Sequence, residues 1–255
     1  MSNKMRCRIF RYRPETDDKP HYETYEIEYR EEMSVLDGLN EIRDTQCPDL
    51  SYRSSCRMAV CGSCAMMIDG VARLACKTFL REFAACGDVC IEPLENFPVE
   101  RDLVVDLSDM MAKMESVEPY IHLKNECASD RLSIQKQTPR ELEKYRQFAQ
   151  CIQCGCCYAA CPQYKLNRDF LGPAALTLSY RYRRDNRDTS DALRSAIMGQ
   201  ESAVWGCTSV GYCTDVCPKL VDPASAIQLA KEESAFDYIR HFIGKFTQKK
   251  CKEKE

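Results

Sequence analysis

The sequence predicts an α+β protein of two parts, a small mixed sheet followed by a helical region. Apolar and polar residues alternate between residues 24 and 29, a pattern typical of a half-buried strand. Beyond residue 100, apolar residues recur every three or four positions, which is typical of helices. Cysteines gather in three runs, one in the first part and two in the second. The change of pattern places the domain boundary near residue 106, so the expected domains are 1–106 and 107–255.

The first part is predicted to run strand, strand, helix, cysteine loop. We expect one strand over roughly residues 6–12, a turn over 14–20, and a second strand whose Tyr25, Ile27 and Tyr29 face the core. Ser34 is predicted to cap a helix, with Asp37 three residues later. The apolar face of that helix is formed by Val35, Leu36, Leu39 and Ile42.

The cysteine run of the first part has the spacing C-x4-C-x2-C, followed by a fourth cysteine. Its members are Cys56, Cys61, Cys64 and Cys76. This spacing is the plant-type [2Fe–2S] pattern, and the flanking strands suit a plant-type ferredoxin (β-grasp) domain. Gly62 lets the backbone turn where it comes closest to the cluster. A structural zinc site is the alternative for four cysteines.

The second part contains the spacing C-x2-C-x2-C-x3-C-P twice, with one substitution. The complete run is the bacterial-ferredoxin signature, in which the fourth cysteine binds the other cluster. We therefore expect an all-α, bacterial-ferredoxin-like domain with two sites. The first site is a [4Fe–4S] cluster held by Cys151, Cys154, Cys157 and Cys217. Zinc is again the alternative, although zinc ligand pairs usually lie further apart in sequence.

The substituted position is Val210, which stands where the second run should have its second cysteine. Valine offers no lone pair to iron, so the second site is expected to be a [3Fe–4S] cluster. Its expected ligands are Cys207, Cys213 and, from the first run, Cys161. Cys156 lies out of register and is expected not to be a ligand. The other cysteines are expected to be free thiols, and the sequence leaves open whether Cys86 and Cys90 pair.

Several helices are predicted around the two cysteine runs. From Glu100 the apolar residues have helical spacing, and further helices are expected near 120–123, from Pro139 to Gln150, after Pro173 and from Pro223. The charged stretch 181–191 is expected to be a solvated face, and 249–255 a frayed tail. The apolar positions of the last helix are Ala226, Ile227, Ala230, Phe236, Ile239, Phe242, Ile243 and Phe246.

The composition narrows the possible functions. The chain has 255 residues and 18 cysteines, clustered at metal-ligand spacings, so a reducing compartment is expected. A net charge of −3 is too slight to favour a nucleic-acid partner. We expect neither a secretory signal nor a membrane span. The sequence also lacks a G-x-G motif, a nucleophile–base set and a phosphate loop, which leaves electron transfer.

The motifs, in this order, resemble those of the iron–sulfur subunit of succinate dehydrogenase and fumarate reductase. Matching stretches are 55–64, 74–79, 96–103, both cluster runs and 221–223. The resemblance implies a partner flavoprotein with covalent FAD that interconverts fumarate and succinate, and a membrane-anchor subunit that helps bind quinone. Electrons would pass along FAD, [2Fe–2S], [4Fe–4S], [3Fe–4S] and quinone. The subunit would lie peripherally on the cytoplasmic face of the inner membrane.

The resemblance also implies residues that contact quinone, although an ordinary structural role is the alternative for each. These positions are Pro162, Thr208, Gln228 and Lys231. Lys165 and Leu166 stand where succinate-oxidising members commonly have two tryptophans, which favours the menaquinol:fumarate reductase branch and menaquinone. A succinate dehydrogenase working mainly in the oxidising direction is one alternative. A freestanding iron–sulfur sensor is an alternative of a different class.

Overall fold

The first part of the chain is a five-stranded sheet with a helix packed on it. The computed structural model describes residues 4–123 and 134–252, with side chains to residue 238. The strands have the spatial order β2-β1-β5-β3-β4, with β1 and β5 parallel and the other neighbours antiparallel. Their bounds are β1 Lys4–Arg11, β2 His21–Glu28, β3 Ala65–Ile68, β4 Val71–Leu74 and β5 Asp88–Glu92.

Helix α1 (Val35–Thr45) begins as the sequence predicts. The Ser34 hydroxyl accepts a hydrogen bond from the Asp37 N–H, and the Asp37 carboxylate accepts one from the Ser34 N–H. This reciprocal capping box satisfies two N–H groups that the helix cannot pair internally. The predicted apolar face of α1 is buried in one core with the inner side of the sheet.

Residues 99–105 form a β-hairpin and not the start of a helix, so the prediction of helix from Glu100 is wrong. The hairpin pairs β6 (Val99–Arg101) with β7 (Val104–Val105). Leu103 is buried in the core of the first part. Helix α2 (Ser108–Ser116) begins only afterwards, with Met110 and Met114 buried and Met111 exposed.

Asp102 accounts for this hairpin. Its backbone has a φ of 47°, which turns the chain between the two short strands. Its buried carboxylate accepts hydrogen bonds from the Arg11 side chain and from the N–H groups of Tyr12 and Ser51, at 2.9–3.0 Å. All of these partners are remote in sequence, so local spacing gives no sign of them.

The second part is helical, and the helix Pro173–Arg183, labelled α6, lies at its centre. Every residue from Pro173 to Tyr180 of α6 is buried, and Ala226, Ile227 and Ala230 of the last helix belong to the same core. The coarse prediction of a sheet part followed by a helical part is therefore confirmed. The remaining bounds are α3 Pro139–Glu143, α4 Cys156–Ala159, α5 Pro162–Leu166, α6 Pro173–Arg183, α7 Asp191–Met198, α8 Tyr212–Asp215 and α9 Pro223–Lys252.

Two helix predictions need correction. Residues 120–123 are not helical, because Arg194 fixes this stretch in an irregular conformation by donating to the carbonyl of Tyr120. The helix from Pro139 ends at Glu143 and is followed by a separate 3₁₀ turn, Phe148–Gln150.

In α9, Phe236 is 72% exposed and not part of the core. The side chains of Ile239, Phe242, Ile243 and Phe246 and the end of the predicted tail, 253–255, lie outside the described residues.

The prediction that 181–191 is a solvated charged face is also wrong. The Asp185 side chain is 0% exposed and is paired with Arg187 and Arg181. The Arg183 side chain is 7% exposed and is paired with Asp191 of α7 and with two acidic residues of α9. Opposite charges pair across three helices, which allows them to be buried. No helix among the described residues is long and apolar enough to cross a membrane.

Candidate metal centres

The loop between α1 and β3 surrounds the first set of thiols with backbone N–H groups. The N–H groups of Met58, Val60 and Cys61 donate to the sulfur of Cys56, at 3.3–3.5 Å. The N–H of Cys56 donates to Cys61, and that of Ala59 donates to Cys76 at 3.3 Å. N–H groups aimed at sulfur stabilise thiolate charge, so this loop suits a cluster held by thiolates.

The loop adopts strained backbone conformations to direct those N–H groups inward. Arg57 and Ala59 have positive φ values of 57° and 55°, which cost about 1 kcal/mol or more each for residues with a side chain. Ser63 and nearby N–H groups lower the pKa of Cys61 to about 6. Burial, and then the neighbouring Cys76 and Cys61, raise the pKa of Cys64 to about 12. Three of the predicted thiols therefore lie in this loop, and Cys76, which follows β4, lies beside them.

The second predicted set comes together from both runs. Cys151, Cys154, Cys157 and Cys217 all line one pocket beside α6. Burial raises the pKa of Cys157, and the charges of Cys154, Cys151 and Cys217 add to that shift. The N–H of Val221 donates to the sulfur of Cys217 at 3.3 Å. The structure thus brings Cys217 to the cysteines of the first run, as the crossover rule expects.

The third predicted set also mixes the two runs. Burial, and then the charges of Cys161 and Cys207, raise the pKa of Cys213 to about 12, so these three thiols are neighbours. The N–H of Tyr164 donates to Cys161, and that of Ser209 donates to Cys207 at 3.3 Å. Only three thiols contribute to this set among the described residues.

The two runs share one local geometry, which makes Val210 the structural counterpart of Cys154. Gln153 and Ser209, each one residue earlier, have φ values of 55° and 59°. Gly155 and Gly211, each one residue later, have φ values of 82° and 88° and precede the short helices α4 and α8. Val210 itself is 52% exposed. The third site therefore repeats the second with one thiol replaced by an apolar side chain.

The chemistry of these donors fits iron–sulfur clusters. Each set contains only thiols, and each includes at least one sulfur that accepts a backbone N–H. Within the described ranges, no three His, Cys, Asp or Glu side chains lie close enough together to hold a single metal ion. A cluster interposes sulfide and several irons between its thiolates, so its ligands stand further apart.

Cys156 is buried beside the second set without lining its pocket. Its thiol hydrogen-bonds to Cys154 and lowers the pKa of Cys154 to about 7. The expectation of buried free thiols elsewhere is met at Cys7 and Cys47, whereas Cys86 is exposed and Cys90 only partly buried. Cys127 and the side chain of Cys251 lie outside the described residues.

The four candidate quinone contacts do not share one pocket. The Lys231 amine donates to the carbonyl of Cys207 at 2.7 Å and to the hydroxyl of Ser209 at 3.3 Å. Thr208 lies in the same loop, and Gln228 is exposed one turn before Lys231. Pro162 lines a separate cavity of about 360 Å³ next to Cys161.

Two residues near the sites were missed by the sequence reasoning. The Asn96 amide donates to the carbonyls of Tyr158, Ala159 and Cys161, and so ties the first part to the loop of a predicted ligand. Ser209 pairs with Lys231. Asn96 lies within a matching stretch but no local signal indicates its role, and Ser209 differs in no visible way from other loop serines.

The two parts of the protein meet at the first and second thiol sets. A β-carbon added to Gly62 would lie 2.9 Å from the β-carbon of Cys154 and 2.9 Å from the carbonyl oxygen of Ile152. On the other side, the Lys77 amine donates to the carbonyl of Pro218 at 2.8 Å. We call this contact region the seam, formed by Gly62, Lys77, Ile152, Cys154 and Pro218.

Comparisons with known families agree with this architecture. Residues 6–112 match a family described as a 2Fe-2S iron–sulfur cluster binding domain. Residues 147–221 match a family described as a 4Fe-4S dicluster domain. The two matched regions correspond to the sheet part and the helical part.

Similar proteins cover nearly the whole chain. The fumarate reductase iron–sulfur subunit of Haemophilus influenzae is 53% identical over 244 residues, covering 92% of this chain and 94% of the relative. The Mycobacterium tuberculosis subunit of the same name is 46% identical, with coverages of 95% and 98%. The succinate dehydrogenase iron–sulfur subunit of Coxiella burnetii is 37% identical, with coverages of 88% and 94%.

Among solved structures, a chain of the Mycobacterium smegmatis Sdh1 complex in the apo form is similar, with a TM-score of 0.84 and 26% identity. The similarity covers 93% of this chain and 98% of that chain.

Proposed function

The chain belongs to the family of fumarate reductase and succinate dehydrogenase iron–sulfur subunits, and we propose that it is the electron-transfer subunit of a membrane-bound quinol:fumarate reductase. It would relay electrons between FAD in a flavoprotein subunit and menaquinone at a membrane-anchor subunit. The subunit itself would be peripheral, on the cytoplasmic face of the cell membrane, and would have no substrate site of its own.

Each thiol set has one proposed occupant. A [2Fe–2S] cluster would be held by Cys56, Cys61, Cys64 and Cys76 in a plant-type β-grasp domain, residues 1–106. In residues 107–255, a bacterial-ferredoxin-like domain, Cys151, Cys154, Cys157 and Cys217 would hold [4Fe–4S], and Cys161, Cys207 and Cys213 would hold [3Fe–4S]. When bound, these clusters take up and release one electron at a time.

The observation that carries the proposal is that the three thiol sets follow one another without a gap. Gly62, between two ligands of the first set, packs against Cys154 of the second. Cys157 of the second set lies close enough to Cys213 of the third for their charges to interact. A chain of adjacent thiolate sites is the arrangement that electron transfer needs.

Exposed apolar residues at the two ends of this chain of sites support two docking partners. Met58 and Val60, in the loop of the first set, are 71% and 56% exposed, where the flavoprotein would dock. Near the third set, Leu166 and Val210 are 81% and 52% exposed, where the anchor and quinone would meet the subunit. Leu166 stands at one of the positions where succinate-oxidising relatives have tryptophan, which favours the fumarate-reducing direction.

The quinone contacts remain proposals with different support. Lys231 and Thr208 flank the loop of Cys207, so they are the better candidates for the quinone end of the relay. Gln228 lies on the same side of α9 as Lys231. Pro162 faces a different cavity, so it would contact quinone only from the Cys161 side.

The test is purification of the complex from membranes by a tag on this chain. We expect co-purification of a flavoprotein and a hydrophobic subunit, and three cluster signals by low-temperature EPR, including an oxidised trinuclear cluster. Fumarate reduction with a naphthoquinol should exceed succinate oxidation with a benzoquinone. The opposite ratio would indicate a succinate dehydrogenase. A soluble protein without a flavoprotein would indicate a sensor and would contradict the proposal.

A further inference from the structure

Lys77 occupies an unusual place in the seam. It directly follows Cys76, a proposed ligand of the first site, and its amine donates to the carbonyl of Pro218, which directly follows Cys217, a proposed ligand of the second. The bond joins residues 141 positions apart. Pro218 also lines the pocket of the second thiol set, so the amine lies at the rim of that pocket.

The charge of Lys77 is not neutralised locally. Its described interactions include the bond to Pro218, and no carboxylate among the described residues pairs with it. The Lys77 side chain is exposed to solvent, but the bond to Pro218 holds its amine beside a residue that directly follows a proposed ligand of the second site.

We propose that Lys77 is a positioning residue with two effects. Its hydrogen bond to Pro218 holds the two parts of the protein together at the seam, and its charge raises the reduction potentials of both the first and the second cluster. This inference rests on the proposed function. Reduction adds negative charge to a cluster, and a nearby cation stabilises that added charge. The packing of Gly62 on Cys154 holds one side of the seam without a directional bond, and the Lys77 bond holds the other side.

The experiment is an EPR-monitored redox titration of the assembled complex carrying Lys77→Met. The equilibrium constants for reduction of the first two clusters should fall on the order of threefold to tenfold. This corresponds to a decrease of about 30–60 mV in each one-electron reduction potential. The third cluster is the internal control and should not shift. The spin interaction between the first two reduced clusters should weaken, because methionine cannot form the hydrogen bond that Lys77 donates to the Pro218 carbonyl.

Two further variants separate the effects of charge and folding. Lys77→Arg keeps the charge and a donor, so it should restore the potentials. Lys77→Gln keeps a hydrogen-bond donor but not the charge, so its cluster potentials should equal those of the methionine variant. If the methionine variant does not assemble, the redox titration is carried out on Lys77→Gln instead.

Unchanged potentials in the two neutral variants, or an equal shift of all three clusters, would overturn the role of Lys77. Absence of the three signals from the wild-type complex would instead overturn the proposed function.

Discussion

Gly62 packs its backbone directly on Cys154, across the boundary between the two parts of the protein. A β-carbon at position 62 would stand 2.9 Å from that of Cys154, and the φ of Gly62 is +77°. Residue 62 is therefore constrained twice, by backbone conformation and by the space that Cys154 leaves. Only glycine satisfies both constraints without displacing a proposed cluster ligand.

Replacing Gly62 by alanine should destabilise the protein and separate the first two sites. The positive φ and the contact with Cys154 together should cost on the order of 2–4 kcal/mol of unfolding free energy. The spin interaction between the two reduced clusters, measured by EPR, should weaken. Gly70→Ala is the matched control, since Gly70 has a φ of +73° but open space around its α-carbon. Equal effects of the two substitutions would show that the contact with Cys154 is unimportant.

Val210→Cys should convert the third cluster from [3Fe–4S] to [4Fe–4S]. The backbone around Val210 matches that around Cys154, so the new thiol would stand where a fourth iron needs it. The additional thiolate should also lower the reduction potential of this cluster. Iron and sulfide analysis with EPR of the purified complex measures both changes. Val210→Ala should leave the trinuclear signal in place, and a trinuclear signal that persists in the cysteine variant would speak against the assignment.

Asn96→Ala should loosen the loop of Cys161. The carbonyls of Tyr158, Ala159 and Cys161 would lose the hydrogen-bond donor that they share. We expect this loss to lower the free energy of unfolding by about 1–3 kcal/mol. On mild oxidation or chelation, the trinuclear EPR signal should disappear before the other two. Asn96 has a φ of +68°, so Asn96→Gly tests the amide without backbone strain. If the glycine variant keeps the trinuclear signal as long as wild type, the amide does not matter.

Asp102→Asn should destabilise the first part of the protein much more than a matched change at the surface. The Arg11 and Asp102 side chains are both 0% exposed, and the substitution removes the fully buried charge among the carboxylates paired with Arg11, the other two being partly exposed. We expect a loss on the order of 2–4 kcal/mol, because breaking a buried pair is costly. Asp88→Asn removes the exposed pair with Arg6 and should change stability by less than about 1 kcal/mol. Thermal unfolding followed through the [2Fe–2S] absorbance compares the two, and similar losses would refute the prediction.

Local signals predicted much of the fold and the neighbouring thiols. The Ser34–Asp37 box depends on residues three apart, and α1 begins where that pair lies. The spacing within the cysteine runs is also local, and the structure brings together the sets that the spacing predicts. The crossovers of Cys217 and Cys161 are long-range features that the sequence predicts, because the ferredoxin pattern specifies them.

Features that depend on partners remote in sequence could not be predicted. The hairpin at 99–105 follows from Asp102 and its bond to Arg11, which is 91 positions away. The ion pairs of Arg183 depend on how α6, α7 and α9 meet, while composition alone indicates only a charged stretch. Asn96 and Lys231 donate hydrogen bonds to backbone carbonyls. Every residue has such a carbonyl, so the pattern of side chains in the sequence does not indicate which one will accept the bond.

The mixing of the two cysteine runs constrains the order in which the protein can be assembled on the ribosome. The first thiol set is complete once Cys76 has emerged, and the sheet part closes once Asp102 reaches Arg11. The other two proposed sites each need cysteines from both runs, so neither is complete before the second run, 207–217, has been made. A nascent chain could receive the proposed first cluster early, whereas delivery of the other two would have to wait until the second cysteine run has emerged.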